Sequence, residues 1–475
     1  MAADPDYRSL FVGLDQTVPL LSGEQKRYIN FDNAASTPPF RAVQQTVERF
    51  LPWYSSVHRG TGYKSQLSTH MFELARETVL HFFGASPQEH TCIFSKNTTE
   101  SINKAARRFP FTEKRRIVLT SGMEHHSNDL PWRQAARTVH ARLTPDGRLD
   151  EADFDRLLEH YAGEIALVAI TGASNVTGYL NDIHRLAEKA HAVGAQILVD
   201  AAQLAPHRRI DMRPLDDPGH LDYIAISGHK MYAPFGAGAL IGRRDTFEQG
   251  DPDLQGGGTV EIVTLEDVVW AGPPDRDEAG SPNTVGAVAL AAALLQLEQT
   301  GMDAVARHEA DLTAYALRRL QTVPGIRLFG STDPEQAGQR LGVIPFQLEG
   351  ISHFKAAAVL GYEFGVGLRS GCFCAHPYIL HLLGLSPEQA RAVRRQILAG
   401  DRREMPGLLR ASFGLYNTKD EIDELVEALT CVAKGKYGGV YRQDSASGDF
   451  HPVNWNPPFP ALLQPDGYGG VGQPA

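Results

Sequence analysis

Two cysteines, an arginine and a histidine lie within the nine residues RSGCFCAHP (369–377) of a chain that has only 4 cysteines. Three kinds of site could need that density: a metal site, a disulfide or a thiol nucleophile. A zinc site would want a second pair of ligands at CxxC-type spacing, and none lies nearby. Four cysteines in 475 residues are too few for a disulfide framework. We therefore favour a nucleophile and expect no metal site.

A second set of polar residues follows predicted strands, where open α/β sheets place their ligands. Asp200 ends the run QILVD, Lys230 follows the run DYIAIS, and the segment NTT (97–99) lies between a strand and a helix. Taken separately, these residues could be a helix cap, a surface charge and an ordinary helix start. Taken in order, they are the parts of a pyridoxal phosphate (PLP) site: an amine for covalent attachment, an acid for the pyridine nitrogen and a helix N-terminus for the phosphate.

The alternation of short apolar runs with helical patterns predicts the fold that positions these groups. Between about residues 31 and 242 the runs are CIFS, RIVLT, ALVAIT, QILVD, DYIAIS and ALIG, which predicts an α/β fold with a mostly parallel, doubly wound sheet. After about residue 301, a long amphipathic helix, the strands IRLF and VIPFQ and three more helices predict a second, smaller α+β domain. We expect a large domain over 28–300, a small domain from 1–27 with 301–436, and a surface or partly disordered tail over 437–475.

The composition narrows the classes of partner. Asp and Glu number 56 against 46 Lys and Arg, a net charge of -10, which disfavours a nucleic-acid partner because such binding needs a basic face. The N-terminal residues lack a signal-peptide pattern, and no apolar run is long enough to cross a bilayer. We expect no membrane association and a cytoplasmic location.

Motifs in a fixed order extend from Tyr28 to Leu429: SSVHRGTG, NTTESIN, MEHHSNDLPW, SNVTG, VDAAQ, SGHK, AGSPNT, RSGCFCAHP and RASFGLYNT. This series resembles the class V aminotransferase group of fold-type I PLP enzymes, and within it the group II, SUF-type, cysteine desulfurases. The GCFC sequence differs from the histidine pair that those enzymes carry before the cysteine, and it is similar to molybdenum cofactor sulfurases. The segment from Cys374 to Arg410 is longer than in SUF-type enzymes.

The resemblance implies a role for each matching residue. Lys230 would carry the cofactor, His125 would stack on its ring and move protons, and Cys374, which the spacing RxGxxC selects, would be the nucleophilic thiol. The other implied cofactor contacts are Thr98, Thr99, Asn175, Asp200, Gln203, Ser227, His229 and, from a second subunit, Ser281. The implied substrate contacts are Arg410 at the carboxylate, with Asn175, Arg369 and His58.

The activity that the resemblance implies is conversion of L-cysteine to L-alanine, with the sulfur passed to a cysteine persulfide in a homodimer and then to a sulfur-acceptor protein. One alternative is a class V aminotransferase, epimerase or other PLP lyase acting on a different amino acid, in which Cys374 is only a loop residue. Another is a non-catalytic PLP-binding regulator or scaffold. Its DNA-binding form should show a basic helix-turn-helix region, which the sequence lacks.

Overall fold

The computed structural model describes residues 6–58, 60–460 and 462 of the chain. The strands are β1 Thr17–Pro19, β2 Gln25–Arg27, β3 Ile29–Asn30, β4 His90–Ser95, β5 Ile117–Ser121, β6 Arg137–Ala141, β7 Ile165–Thr171, β8 Gln196–Asp200, β9 Tyr223–Ser227, β10 Gly238–Arg243, β11 Val260–Val263, β12 Val268–Trp270, β13 Ile326–Leu328, β14 Val343–Leu348, β15 Val366–Gly367, β16 Arg369–Gly371, β17 Leu408–Ser412, β18 Tyr441–Gln443 and β19 Phe450–Pro452.

The α-helices are α1 Arg41–Phe50, α2 Tyr63–Phe82, α3 Thr98–Arg108, α4 Leu130–Ala135, α5 Glu151–His160, α6 Ile183–Ala192, α7 Arg244–Phe247, α8 Thr284–Thr300, α9 Met302–Leu320, α10 His353–Phe364, α11 His376–Leu382, α12 Pro387–Leu398 and α13 Lys419–Ala433. Among the described residues no single helix is long and apolar enough to cross a membrane. The pair α8 and α9, bent by 77°, passes that test of length and composition together.

The central sheet has seven strands in the order β4-β10-β9-β8-β7-β5-β6. Its strands are apolar on both faces because alternate residues enter different cores: Val168 and Ile170 of β7 lie in one cluster, Leu167 and Ala169 in the other. Helices α5 and α6 contribute to the first cluster, and α3 and α4 to the second. Both faces are thus covered, which confirms the predicted α/β class with a mostly parallel, doubly wound sheet.

Two details of this sheet differ from the sequence prediction. Strand β10, the run ALIG, is antiparallel to both β4 and β9, while β9, β8, β7, β5 and β6 run parallel to one another. Strand β6 is not among the predicted runs. It is an edge strand of sequence RTVHA in which only Ala141 is buried, so it has little of the apolar content that marks a central strand.

A second sheet of four antiparallel strands, in the order β13-β14-β17-β16, packs with α9, α10 and α13 around its own apolar cluster. The short strand β3 pairs in parallel with β15, which brings the start of the chain to this part of the molecule. The predicted helices after residue 301 are present as α9, α10, α12 and α13. The predicted domain boundaries themselves stay a prediction.

The described part of the predicted tail lies against α10. Strands β18 and β19 form a hairpin, and the Tyr441 hydroxyl donates a hydrogen bond of 2.7 Å to Glu363. The Trp455 ring packs edge-on against Tyr362 at 5.4 Å between centroids. The rest of the tail prediction, over 461 and 463–475, lies outside the described residues, as do residues 1–5.

Candidate active site

A cavity of about 300 Å³ lies where the carboxyl ends of β7, β8 and β9 face the second sheet. Every predicted site residue except His58 and Ser281 lines it: Thr98, Thr99, His125, Asn175, Asp200, Gln203, Ser227, His229, Lys230, Arg369, Cys374 and Arg410. Among the described residues that line the cavity, Asp200 is the only carboxylate. The cavity therefore favours an anionic occupant.

One end of the cavity is built for an anion by the start of α3. The Thr98 backbone N–H donates to the Ser227 hydroxyl at 2.8 Å, and the two side-chain hydroxyls lie 2.8 Å apart. The Thr99 hydroxyl lies 2.7 Å from that of Ser127, and the Asn97 side chain caps the helix. Hydroxyl groups at the positive end of an 11-residue helix are a chemical match for a phosphate.

Lys230 reaches the cavity through a tight turn after β9. A side chain at Gly228 would place its Cβ 2.7 Å from the Ala237 carbonyl oxygen, so this turn needs glycine. Burial lowers the pKa of Lys230 to about 8, although the charge of Asp200 opposes the shift. An amine that loses its proton this readily is a better nucleophile toward an aldehyde than a surface lysine.

Asp200 lies at the end of β8 and is almost fully buried, where its carboxylate accepts a hydrogen bond of 3.0 Å from the Ala202 N–H. Burial raises the pKa of Asp200, and the charge of Lys230 opposes that shift. A cationic N–H donor, such as a protonated pyridine nitrogen, would compensate the burial of this carboxylate. Nearby, the Gln203 amide donates to the Ala34 carbonyl at 2.7 Å.

His125 is neutral in this environment. Burial, with the charge of Lys230, lowers the pKa of His125 to about 3. Its Nδ1 accepts a hydrogen bond of 3.1 Å from the Ser127 N–H, so the neutral ring carries its proton on Nε2. His229 is also held neutral at pH 7, because burial lowers its pKa to about 4.

The opposite end of the cavity carries two arginines from adjacent strands, since β16 and β17 place Arg369 opposite Arg410. The Arg410 side chain is buried, donates to the Asn175 carbonyl at 2.9 Å, and lies over the Phe373 ring. Burial lowers the pKa of Arg410 to about 10, and the charge of Asp32 opposes the shift. Its Nε is buried and has no hydrogen-bond partner among the described residues. A carboxylate ligand would satisfy that atom.

Asp32 is a site residue that the sequence analysis missed. Its carboxylate lies 2.8 Å from Nη2 of Arg369 and 3.2 Å from Nη2 of Arg410, so it holds both guanidinium groups. The only signal was its position in the polar stretch NFDNAAS (30–36), close after the residues that form β3. Because its partners follow more than 300 residues later, their pairing could not be read from the sequence.

The loop between β16 and α11 brings Cys374 to the cavity. Phe373 and Cys374 have φ angles of 51° and 52°, a left-handed conformation that is uncommon for such residues. The loop is fixed by the Asn175 amide, which donates to the Phe373 carbonyl at 2.7 Å, and by the His126 N–H, which donates to the Cys374 carbonyl at 2.8 Å. Cys374 is exposed.

The other cysteine of the loop is directed away from the cavity. The Cys372 thiol is buried and donates to the Pro406 carbonyl at 2.9 Å, and burial raises its pKa to about 12. It is therefore a protonated thiol at neutral pH. Cys374, in contrast, lines the cavity together with Lys230 and Arg410.

His58 and Ser281 are not part of the cavity in this single chain. His58 is exposed, has a φ of 70°, and packs edge-on against Phe72. Ser281 is exposed just before α8. Their predicted roles stay predictions.

A partly buried lysine after a sheet strand, an acid at the neighbouring strand end and hydroxyls at a helix start define the fold and site of a fold-type I PLP enzyme. The family model for "Aminotransferase class-V" matches residues 29–425. The chain belongs to the class-V aminotransferase family, whose members depend on PLP.

Curated relatives and solved structures agree with this assignment. The chain is 35% identical over 444 residues to a "Probable cysteine desulfurase" of Halalkalibacterium halodurans, covering 92% of this chain and 99% of the relative. It is 34% identical to a "Cysteine desulfurase" of Serratia proteamaculans, covering 87% and 95%. A cysteine desulfurase structure from Thermococcus onnurineus aligns with a TM-score of 0.74 at 30% identity, covering 89% of this chain and 98% of that one.

Proposed function

We propose that the protein is a PLP-dependent cysteine desulfurase that converts L-cysteine to L-alanine and takes the sulfur onto Cys374. The observation that carries this proposal is an exposed thiol at the cavity that also holds the amine of Lys230 and the guanidinium of Arg410. An aminotransferase has no need of a thiol there. The names of the curated relatives support the same reaction.

The side chains that line the cavity fall into those that would bind the cofactor and those that would bind the substrate. The hydroxyls of Thr98, Thr99 and Ser227 would hold the cofactor phosphate, Asp200 the pyridine nitrogen, and Lys230 the aldehyde carbon. When bound, PLP supplies an electron sink for bonds at the carbons of the amino acid. Arg410 would orient the substrate carboxylate, and the free amine of Lys230, with its pKa of about 8, can move the proton at the substrate Cα.

The thiolate of Cys374 then attacks the substrate sulfur. One S–S bond forms, the Cβ–S bond of the substrate breaks, and its electron pair stays with the carbon, which takes a proton to become the methyl group of alanine. Overall, a thiol and L-cysteine give a persulfide and L-alanine, so no external oxidant is needed. A thiolate is required because the thiol itself is a poor nucleophile.

The carboxylate anchor can be tested by Arg410→Lys. Lysine keeps the charge but loses the two-pronged geometry, so we expect a loss of about 1.5 to 3 kcal/mol, or roughly tenfold to a hundredfold in kcat/KM. The matched control is Arg369→Lys, whose side chain is 50% exposed against 3% for Arg410, and we expect a smaller loss. A larger loss in the Arg369 variant would assign the anchor to Arg369 instead.

We infer a homodimer in which Ser281 of one chain completes the phosphate site of the other. Two observations support this inference. Ser281 is exposed and does not line the cavity of its own chain, so it could reach the cavity of another chain. It also belongs to AGSPNT, one of the motifs that carry the family resemblance. An apolar hollow of about 220 Å³ between α1, α2 and α8, bordered by the exposed Leu74 and Leu295, is suited to a subunit contact.

If this inference is right, dilution to monomer should release the cofactor, and Ser281→Ala should weaken cofactor binding without changing the dimer. Analytical ultracentrifugation combined with the visible absorbance of the bound cofactor measures both. Ser447→Ala, a change in the tail hairpin, is a control that should leave both unchanged. A fully active monomer would refute the shared site.

On the order of the motifs, we also propose that the protein belongs to the group II, SUF-type, enzymes.

We further propose that a protein accepts the persulfide sulfur. The long segment after Cys374 supports an acceptor surface. It contains α12, which has no buried residue. Residues of α12, with Cys372 and His376, line an apolar hollow of about 240 Å³ that could receive part of a partner protein. Arg391, Arg394 and Arg395 are exposed on the same helix, which would favour an acidic partner. The cytoplasmic location stays a prediction.

One experiment tests the activity. Purified PLP-loaded protein is incubated with L-cysteine and a reductant, and alanine and sulfide are measured together. The proposal requires equal amounts of the two products. Formation of a keto acid or an epimer without sulfide would replace it with the aminotransferase or epimerase alternative.

A further inference from the structure

Phe373 separates the two cysteines of the loop, and its half-buried side chain lines the cavity together with Arg410. The sequence predicts no role for it. In the structure the Arg410 guanidinium lies over the Phe373 ring, with its central carbon 4.8 Å from the ring centroid. The ring face attracts the guanidinium because it carries partial negative charge. The loop that carries Cys374 therefore contacts the predicted anchor of the substrate carboxylate.

Asn175 joins the same contact. Its side-chain amide donates to the Phe373 carbonyl at 2.7 Å, and its backbone carbonyl accepts from Nη1 of Arg410 at 2.9 Å. Asn175, Arg410 and Phe373 thus contact one another pairwise. Asn175 and Arg410 still have donors for a substrate: the amide has a second N–H, and Nε of Arg410 is buried without a partner among the described residues.

The backbone of the loop needs support of this kind. Phe373 and Cys374 both have positive φ angles, 51° and 52°. Two consecutive left-handed residues with side chains are unfavourable and persist only where the surrounding contacts hold them. On the side of the anchor, the contacts are those of the Phe373 ring with Arg410 and of the Phe373 carbonyl with Asn175.

We propose that Phe373 is a positioning residue, which holds the Cys374 thiol at a fixed place relative to the carboxylate that Arg410 binds. This inference rests on the proposed function, because it takes Arg410 as the anchor and Cys374 as the sulfur acceptor. The ring covers one face of the guanidinium, whereas a carboxylate binds at its edge, in the plane of Nε, so the two contacts are compatible.

The benefit is geometric. The thiolate attacks the sulfur of a substrate whose carboxylate is held at Arg410, so the distance between thiol and anchor decides how often the geometry of attack is reached. A residue that touches the anchor and is bonded directly to Cys374 sets that distance. Phe373 meets both conditions.

Hydrogen exchange followed by mass spectrometry tests this role without depending on turnover. The reporters are the N–H groups of Ala375 and His376, which donate to the Cys372 carbonyl at 2.9 Å and to Nε2 of His126 at 3.2 Å and exchange when the loop leaves this path. In the full-length PLP-loaded protein, Phe373→Leu should speed this exchange by roughly twofold to thirtyfold, the range that a contact between a cation and a ring contributes. Phe373→Tyr keeps the aromatic face and should exchange as the unmodified protein does.

A double variant distinguishes this contact from simple filling of space. Arg410→Gln removes the cation and should itself speed the exchange. If the ring acts through that cation, Phe373→Leu should have a smaller effect in the Arg410→Gln background than in the unmodified one. The matched control is Phe329→Leu, which removes a similar contact with Arg327, at 4.6 Å, outside the cavity, and should leave the loop exchange unchanged.

Sulfide release from L-cysteine measures the consequence for catalysis. Phe373→Leu should lower kcat by roughly tenfold to a hundredfold, because a displacement of about 1 Å can cost that much. The visible absorption of the cofactor should stay intact, and Phe373→Tyr should restore the rate. The proposal is overturned if Phe373→Leu leaves either the loop exchange or kcat unchanged, or if its effect on exchange is the same with and without Arg410. Absence of sulfide from the unmodified protein would instead refute the proposed function, and the exchange measurements would still decide whether the ring holds the loop.

Discussion

Lys230→Ala should reduce turnover of every amino-acid substrate by roughly 10²- to 10⁴-fold or more, because it removes both the amine that holds the cofactor and the base that moves a proton. The described residues that line the cavity include no second lysine. The variant should also lose the visible absorption that depends on the bond between Lys230 and the cofactor. Steady-state rates and an absorption spectrum at matched protein concentration measure the two effects.

Two further variants make this result specific. Lys230→Arg keeps the positive charge but offers no amine that can bond to an aldehyde, so it should be as inactive as the alanine variant. Lys434→Ala, at an exposed position after α13, should behave as the unmodified protein does. Normal turnover in Lys230→Ala would end the assignment of this chain as a PLP enzyme.

Much of the fold could be predicted because the central strands are buried on both faces. A strand such as QILVD has to be apolar at nearly every position, and this leaves a local signal in the sequence. Strand direction leaves no such signal, so the antiparallel course of β10 appeared only in the structure. The edge strand β6, with one buried residue, was missed for the opposite reason: it has too few apolar positions.

The site was predictable where it follows the strand ends and the motifs. Asp200, Ser227 and Lys230 meet in one cavity because β8 and β9 are parallel neighbours. Asp32 was missed because its function depends on two arginines brought to it by the second sheet. The different environments of Cys372 and Cys374 could not be predicted either, since they depend on the path of the loop and on Pro406.

That difference between the two cysteines carries the last prediction. Cys374→Ser should stop sulfide release from L-cysteine while leaving the visible absorption of the cofactor intact, because a hydroxyl is a far poorer acceptor of sulfur than a thiolate. Cys372→Ser is the matched control. A serine hydroxyl there can still donate to the Pro406 carbonyl, and a thiol whose pKa is raised to about 12 offers little thiolate. This variant should retain substantial activity.

The readout is sulfide and alanine from L-cysteine, together with mass spectrometry of the persulfide on the loop peptide. With the unmodified protein and Cys372→Ser, the added sulfur should appear on Cys374. Loss of activity only in Cys372→Ser would make Cys372 the nucleophile, although Cys372 is buried and Cys374 is exposed. If neither variant slows turnover, the loop thiols are structural, because no sulfur transfer through this loop could survive the loss of its nucleophile. The enzyme would then be an aminotransferase, epimerase or lyase that uses Lys230 but neither loop thiol.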